Sequence, residues 1–346
     1  MGRIGIYQKQ SMTLGVLYGF VHFSVEVACF YYLFAWVSGD RNWWAFALLF
    51  DALAFIPQGI IGSLSDKYPK LPVGVIGCVL MLVAFLQPFK LVGLPFLALG
   101  NAMIHISGAQ FTLRGAKGKI GPNALFVGGG SFGVVTGQLL GKSSQAQGFW
   151  IPLVLLLLSL GILSLIQKKV KTEQADSGFD IAAPRSLGLI VLLAFIGVTV
   201  RGYIAYAIPT EWNKTVPQTI ALFVCMGIGK TLGGFLADRL GYRWVTILSL
   251  VGGLPFLLFG NEMMYISLIG VALFSMTMPV TVGILASVFP KESGLAFGIT
   301  TIGLFLGVAP SFFLRPESLL AHQLTVLILT FIVLPSTLFC LRRCKK

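Results

Sequence analysis

The sequence predicts an all-α integral membrane protein with twelve transmembrane helices in two pseudo-symmetric bundles of six. Of the 346 residues, 56% are hydrophobic and only 11% are charged, whereas a soluble domain has roughly 25% charged residues. Apolar stretches long enough to cross about 30 Å of hydrocarbon recur along the whole chain. A short polar string near residue 62 also recurs near residue 234, which indicates a tandem duplication.

The predicted spans follow one another with short connections. They cover residues 11–37, 42–64, 71–88, 91–113, 122–141, 148–167, 187–208, 216–237, 243–260, 262–289, 293–314 and 318–340. The segments 71–88 and 243–260 are the shortest of the set. Because the number of spans is even, both termini are expected on the same side of the membrane.

The repeated string predicts a turn with a defined role. Its first copy contains Gly62, Asp66 and Lys67, and its second contains Gly234, Asp238 and Arg239, 172 residues further along the chain. The glycines allow close helix contacts, and the aspartates can accept hydrogen bonds from a neighbouring helix N-terminus or pair with a basic residue. We interpret the six residues as a conformational latch. The alternative is that the charges only cap helices at the membrane surface.

One segment has the composition of a soluble linker. Residues 168–186 contain clustered charges, one glycine and one proline, and they divide the chain into bundles at 1–167 and 187–346. A segment of this length can tether two bundles that move against each other, but it is too short to form a domain.

The basic excess of +13 could indicate a nucleic-acid partner, but its placement argues against one. If both termini are cytoplasmic, 18 Lys and Arg fall in inner segments and 5 in outer loops. This asymmetry is the positive-inside pattern of membrane proteins. We therefore expect a lipid bilayer as the surrounding medium, no nucleic-acid partner, and a first span that is retained as a helix.

The cysteines give no sign of a metal centre. Three of the five lie within spans and two at the C-terminal tail, without metal-like spacing and without a histidine nearby. Reduced structural thiols are the expected state, and neither a metal nor a cofactor is predicted.

Glycines are patterned within the fifth span. Gly129, Gly133, Gly137 and Gly141 recur every four residues and therefore share one helix face. Tight packing against a neighbouring helix is the favoured interpretation. A hinge is the alternative.

Ionisable residues within spans are the strongest functional candidates, because a charge near the bilayer centre costs about 2.5–3.5 kcal/mol. These residues are His22, Glu26, Asp51, His105, Arg201 and Lys230. Tyr18, His22 and Glu26 are spaced four apart and form one polar stripe on the first helix.

Among these six residues, the acids and histidines belong to the first half, and the bases belong to the second half. This division predicts proton coupling by Glu26, His22, Asp51 and His105, and contact of Arg201 with an anion. A purely structural role remains the alternative for each of these residues. Lys230 is the weakest candidate, because it can instead pair with the latch acids.

Several strings resemble the major facilitator superfamily, and in particular its fosmidomycin-resistance-like branch. They are the repeated Gly-x-x-x-Asp-Lys/Arg turn, VHFSVE at 21–26, SDKYP at 65–69, HISGAQ and the residues that follow it at 105–133, and SGLAFG at 293–298. The chain departs from the branch where Glu26 replaces the usual Asp, where Ile106 and Ser107 replace Pro and Glu, and where Gln110 stands near a usual Arg.

The resemblance implies a secondary transporter that works by alternating access, with helices one, four, seven and ten lining a cavity. It places Tyr18, Asn101, Arg201, Met276 and Met278 at a small-molecule substrate. We expect proton-coupled export of an anionic or amphipathic compound across a bacterial inner membrane by a monomer. An importer of a sugar or carboxylate is the alternative. A membrane receptor or enzyme is disfavoured, because no loop is long enough for a catalytic domain.

Overall fold

The computed structural model describes residues 2–114, 116–144, 147–170, 177–179, 187–208, 210–260, 262–314 and 323–343. The regular structure within these ranges is helical throughout. The helices of the first half are α1 (Gly2–Tyr32), α2 (Trp43–Phe55), α3 (Gln58–Lys67), α4 (Val73–Leu86), α5 (Lys90–Leu113), α6 (Gly121–Ser144) and α7 (Trp150–Lys169). Those of the second half are α8 (Leu187–Ala207), α9 (Val216–Leu240), α10 (Tyr242–Ile247), α11 (Leu254–Phe259), α12 (Met264–Ser275), α13 (Thr277–Val288), α14 (Ser293–Val308) and α15 (Gln323–Arg343).

The helices reproduce the predicted spans. In the described part of the chain, 11 helical stretches are long and apolar enough to cross a membrane, and α4 is a shorter apolar helix of 14 residues. At about 1.5 Å per residue, α4 is only about 21 Å long, less than the hydrocarbon thickness of about 30 Å. It occupies the predicted span 71–88, one of the two shortest. The chain is thus a multi-pass membrane protein, and the twelve-helix fold class is confirmed.

Three spans that the hydropathy pattern predicts as continuous are interrupted. The second divides into α2 and α3 at Pro57, which has no N–H to continue the helical hydrogen bonds. In the ninth, a π-helical segment, Leu248–Gly252, joins α10 to α11. The tenth breaks at Met276 between α12 and α13, three residues before Pro279. Hydropathy does not register these breaks, because the residues at them are themselves mostly apolar.

The outer surface is rich in large apolar side chains. Ile60, Leu86 and Phe259 are each 69–76% exposed, a state that is costly in water but suited to contact with lipid. The inner faces carry the buried polar groups. This distribution explains why overall hydropathy alone identifies the class of protein.

The glycine face of α6 packs against α1, as the favoured interpretation predicted. A side chain at Gly129 would strike the carbonyl of Gly19, and one at Gly133 would strike the carbonyl of Phe23. A Cβ atom at Gly137 would lie 2.5 Å from the carbonyl oxygen of Val27. The absence of side chains on this face therefore lets the two backbones touch along about three turns of the helix.

The two halves meet closely at one end of the bundle, here called the turn end, where Asp66 and Asp238 lie. Helix α3 contacts α14, where Gly62 lies against the backbone of Gly294. Helix α9 contacts α6, where Gly234 lies against Ala124. Both repeated glycines thus occupy contacts between the halves.

Most of the predicted linker 168–186 lies outside the described residues, and the bundle boundaries at 167 and 187 stay a prediction. Its described part, 177–179, contacts both halves. The amide of Gly118 donates to the carbonyl of Ser177 at 2.7 Å, and the amide of Ser177 donates to the carbonyl of Pro290 at 2.9 Å. The short segment therefore bridges the halves at the turn end.

Candidate functional site

A cavity of about 400 Å³ lies between the two halves near the middle of the bundle. The first half contributes His22, Glu26, Asp51, Asn101 and His105 to its wall, and the second half contributes Arg201, Lys230 and Met278. The remaining wall is largely apolar and aromatic. A mostly apolar cavity with a few convergent polar groups is the usual form of a small-molecule site.

Glu26 is the centre of a buried polar cluster on the first-half wall, which we call the Glu26 cluster: His22, Glu26, Asn101 and His105. Its Oε1 atom accepts a hydrogen bond from Asn101 Nδ2 at 3.0 Å. The same oxygen lies 3.5 Å from His22 Nε2 and 3.7 Å from His105 Nε2. The two imidazole rings meet edge to face with centroids 4.4 Å apart.

Each histidine of the cluster is oriented by a backbone carbonyl. His22 Nδ1 is 2.9 Å from the Phe126 oxygen, and His105 Nδ1 is 2.9 Å from the Asn101 oxygen. A carbonyl oxygen only accepts, so each Nδ1 carries the hydrogen, which is assigned from these partners. A neutral ring then directs the lone pair of Nε2 towards the carboxylate. The cluster consequently favours a proton or another cation between these atoms.

The glycines of α6 hold this stripe of α1 in place. A side chain at Gly130 would collide with the His22 ring, and one at Gly133 would lie 2.8 Å from the Glu26 Cβ atom. Small residues on α6 are therefore a condition for the positions of both polar side chains. The glycine repeat of α6, which the sequence analysis interpreted as tight helix packing, thus also positions side chains of the candidate site.

Arg201 lies on the second-half wall and is only 5% exposed. Among the described residues, its Nε and Nη2 atoms find no hydrogen-bond acceptor. Two buried guanidinium nitrogens without acceptors are costly, because burial removes their water and no protein group replaces it. Such a group on a cavity wall is suited to an anion that enters the cavity.

Lys230 lies on the same wall and not at the latch. Its Nζ donates to Ser131 Oγ at 2.9 Å, across the contact between α9 and α6. The alternative that Lys230 pairs with the latch acids is therefore wrong for this conformation. Together with Arg201, it gives the second-half wall two positive charges opposite Glu26 and Asp51.

Two predicted substrate residues lie off the cavity wall. The Tyr18 hydroxyl shares a hydrogen bond of 2.7 Å with Ser107 Oγ, one turn closer to the turn end than His22. Met276 packs against the backbone of Gly233, whereas Met278 lines the cavity. Residues two apart on a helix are rotated by about 200°, so the two methionines cannot face the same way. Of the predicted substrate residues, Asn101, Arg201 and Met278 line the cavity.

The turn end of the cavity is closed. Phe126 of the first half and Phe297 of the second half pack with ring centroids 6.0 Å apart. Phe297 itself lines the cavity. Besides the predicted helices one, four, seven and ten, the second, fifth, eighth and eleventh spans also contribute wall residues.

The contact between Phe126 and Phe297 forms the floor of the cavity. Beyond this floor, at the turn end, Asp66 connects three helices. Its carboxylate accepts hydrogen bonds from the amides of Gly294 at 3.1 Å and Leu295 at 2.9 Å, at the first turn of α14. Gln110 Nε2 donates to it at 2.7 Å, and Arg114 Nη2 donates at 3.0 Å. Burial lowers the pKa of the Arg114 guanidinium, whereas the Asp66 charge raises it.

Asp238 makes the equivalent contact in the second half. Its two oxygens each accept a backbone hydrogen bond at 2.8 Å, from Ile120 and from Gly121, at the start of α6. Lys67 and Arg239, the basic members of the repeated string, are exposed and lie outside these contacts.

The sequence did not predict several residues of the cavity wall and of the Asp66 contact. Gln110 was noted only as the replacement of an arginine, and Arg114 only as a loop charge, yet both bind Asp66. Ser131 carried no signal other than its place on the same helix as the glycine face. In each case the contact joins different helices, and spacing along the chain does not show it.

Comparisons with known proteins show which proteins this chain is similar to. No protein-family model matches the chain. It is 27% identical over 303 residues to an uncharacterized MFS-type transporter, YfnC, of Bacillus subtilis, covering 76% of this chain and 73% of that protein. It is 23% identical over 245 residues to the fosmidomycin resistance protein of Escherichia coli, covering 61% of this chain and 60% of that protein.

The solved structures agree on the fold. The fucose:proton symporter FucP of E. coli matches with a TM-score of 0.66 at 14% identity, covering 96% of this chain and 99% of that one. A structure of FucP in the outward conformation matches with a TM-score of 0.60 at 14% identity, covering 94% and 98%. The chain is similar to major facilitator superfamily transporters in sequence and in fold. The resemblance seen in the sequence is confirmed, including its fosmidomycin-resistance branch, and the chain groups with transporters and not with enzymes.

Proposed function

We propose that the protein exports a small anionic or amphipathic solute in exchange for protons, by alternating access through the central cavity. The observation that carries the proposal is that a buried base and the buried Glu26 cluster line opposite walls of the cavity. Arg201 is buried, its Nε and Nη2 atoms have no acceptor among the described residues, and it lines the same cavity as the Glu26 cluster. One wall offers charge to an anion, and the other offers a place for a proton.

The proton site is Glu26 with His22 and His105, and Asp51 stands beside it on the cavity wall. With both Nδ1 atoms bound to carbonyls, the cluster holds a carboxylate between two ring nitrogens. Adding or removing one proton there changes the charge of a buried site by a full unit. Such a change alters the balance between the cavity walls and can be coupled to the binding of a charged solute.

The latch residues supply the conformational part of the proposal. Asp66 and Asp238 bind helix N-termini across the two contacts between the halves, and they hold the turn end shut. Transport requires these contacts to open when the opposite end of the bundle, here called the far end, closes. The described part of the linker, 177–179, touches both halves and is long enough with its flanks to permit this motion.

Orientation and location rest on the charge pattern and on the relatives. The 18 to 5 excess of basic residues supports a turn end and both termini on the cytoplasmic side of a bacterial inner membrane. The name of the fosmidomycin resistance protein favours export over the alternative of import. We treat the functional unit as a monomer with one bundle at 1–167 and the other at 187–346.

The proposal is tested with purified protein and a panel of small organic anions that includes fosmidomycin. We expect at least one anion to raise the melting temperature of the parent and to bind about tenfold to a hundredfold more weakly to Arg201→Gln, the loss expected for a charge-assisted hydrogen bond of about 1.5–3 kcal/mol. Lys214→Gln, which removes an exposed charge, is the matched control. Equal binding by Arg201→Gln and the parent would contradict the assignment.

Direction is tested separately in sealed vesicles of known orientation that carry a proton gradient. Proton-driven movement of the bound anion from the turn end to the far end supports export. Movement only in the opposite direction would establish the importer instead.

A further inference from the structure

The Glu26 cluster has the ligand set of a transition-metal site. One ring nitrogen of His22, one of His105 and one carboxylate oxygen of Glu26 all lie within 4.8 Å of one another, and all three residues are buried. The sequence analysis expected no metal because it considered spacing along one chain segment. Here two ligands come from α1 and the third comes from α5.

We propose that this cluster binds a divalent transition-metal ion, and that the transported solute is a small organic anion carried together with that ion. The inference rests on the proposed function, because it names the class of solute for the same cavity. It adds a ligand that neither the relatives nor the fold assign.

The distances suit such an ion. In a tetrahedral zinc site with bonds of about 2.0–2.2 Å, two ligand atoms are about 3.3–3.6 Å apart. The carboxylate oxygen of Glu26 lies 3.5 Å from His22 Nε2 and 3.7 Å from His105 Nε2. These separations are too long for hydrogen bonds and close to those of a shared metal. Small side-chain movements would complete the geometry.

The surroundings supply the outer contacts that metal-binding histidines require. Ligating imidazoles almost always donate their second nitrogen to a carbonyl or carboxylate, which fixes the tautomer and directs the free lone pair at the metal. His22 and His105 each do so through Nδ1, to the carbonyls of Phe126 and Asn101. The Asn101 side chain also holds the Glu26 carboxylate at 3.0 Å.

Three protein ligands leave coordination positions open towards the cavity. Two imidazoles and one carboxylate are suited to zinc, iron and neighbouring divalent ions, and not to magnesium or calcium, which prefer oxygen ligands. Across the cavity, Arg201 offers two unpaired donor atoms, and Lys230 is a second positive group on the same wall. An anion held there can fill the open positions with its own oxygens.

The direct test is titration of purified protein with Co²⁺, monitored by visible absorption and by calorimetry. We expect one ion per protein, with the absorption of a four- or five-coordinate site. Glu26→Gln and His105→Gln should each weaken binding at least tenfold. His322→Gln, which removes the third histidine of the chain, should bind as the parent does. Absence of stoichiometric binding in the parent, or equal losses in all three variants, would overturn the proposal.

Folding and transport are controlled in the same preparations. Each variant must keep a cooperative melting transition, and Glu26→Gln provides an isosteric change in case His105→Gln does not fold. Anion transport is then measured with and without a chelator. Transport that depends on Arg201 but is unaffected by the chelator would refute the metal complex and leave the proposed function standing. Metal binding without any anion transport would refute the proposed function instead, and with it the complex as cargo.

Discussion

Asp66 and Asp238 occupy equivalent places in the two halves, and each accepts two backbone hydrogen bonds from the first turn of a helix in the opposite half. Asp66 binds the amides of Gly294 and Leu295, and Asp238 binds those of Ile120 and Gly121. A carboxylate at a helix N-terminus is favoured by the free N–H groups and by the helix dipole. The duplication thus repeats a contact between the halves, and not only a turn.

The latch has a direct consequence for Asp66→Asn. The substitution removes a charge that binds Arg114 and α14 while keeping the side-chain volume, so the state with an open turn end should gain population. We expect anion binding to be retained and the turnover rate to change. A cysteine introduced near the floor of the cavity should become more reactive. Asp40→Asn, at an exposed position, is the control. Transport and accessibility both equal to those of the parent would argue against a latch.

The orientation of the chain is checked by labelling single cysteines in a background without the native ones. Asp40→Cys and Lys142→Cys should react with an impermeant reagent from the periplasm, because both positions are exposed at the far end. Lys119→Cys should react only after the cells are opened. Glu317 and Lys171, the other positions that the sequence favours for periplasmic and cytoplasmic labelling, lie outside the described residues. Labelling of Lys119→Cys in sealed cells would overturn the assigned topology.

The contact between α1 and α6 makes a prediction about stability. In Gly133→Ala, the new methyl group would meet the Phe23 carbonyl and the Glu26 side chain, so the helices must separate. We expect a lower melting temperature and weaker anion binding. Gly161→Ala is the matched control, because nothing lies within 4 Å of a side chain there. An alanine in an exposed helix position should if anything stabilise, by about 1 kcal/mol. Equal melting temperatures for both variants would contradict this packing.

The fold was largely predictable because hydropathy and internal repetition are properties of the linear sequence and need no tertiary contact to be seen. Even the short α4 was anticipated as a span, since a run of apolar residues is visible without any tertiary contact. The breaks at Pro57 and Met276 were not anticipated, because the apolar pattern continues across them. Local geometry at a proline kink changes the path of a helix without changing its composition.

The candidate site was predictable only in part. Glu26, His22 and Arg201 were identified because charges in a membrane span are costly and therefore rare. Their partners were not: Gln110 and Arg114 reach Asp66, and Lys230 reaches Ser131, each across a contact between helices. That Tyr18 and Met276 do not line the cavity could not be predicted, because the depth of the cavity and the rotation at a helix break depend on packing.

The central claim is that Glu26 carries the coupling proton, and its most direct test is solute movement by Glu26→Gln in vesicles. The account predicts that the variant still binds and exchanges anion, loses the pH dependence of binding, and fails to accumulate anion against its gradient. Glu262→Gln, an exposed position, should accumulate anion as the parent does. If Glu26→Gln instead drives uphill transport at the parent's rate, the proton site lies elsewhere, with Asp51 and His105 the next positions to test.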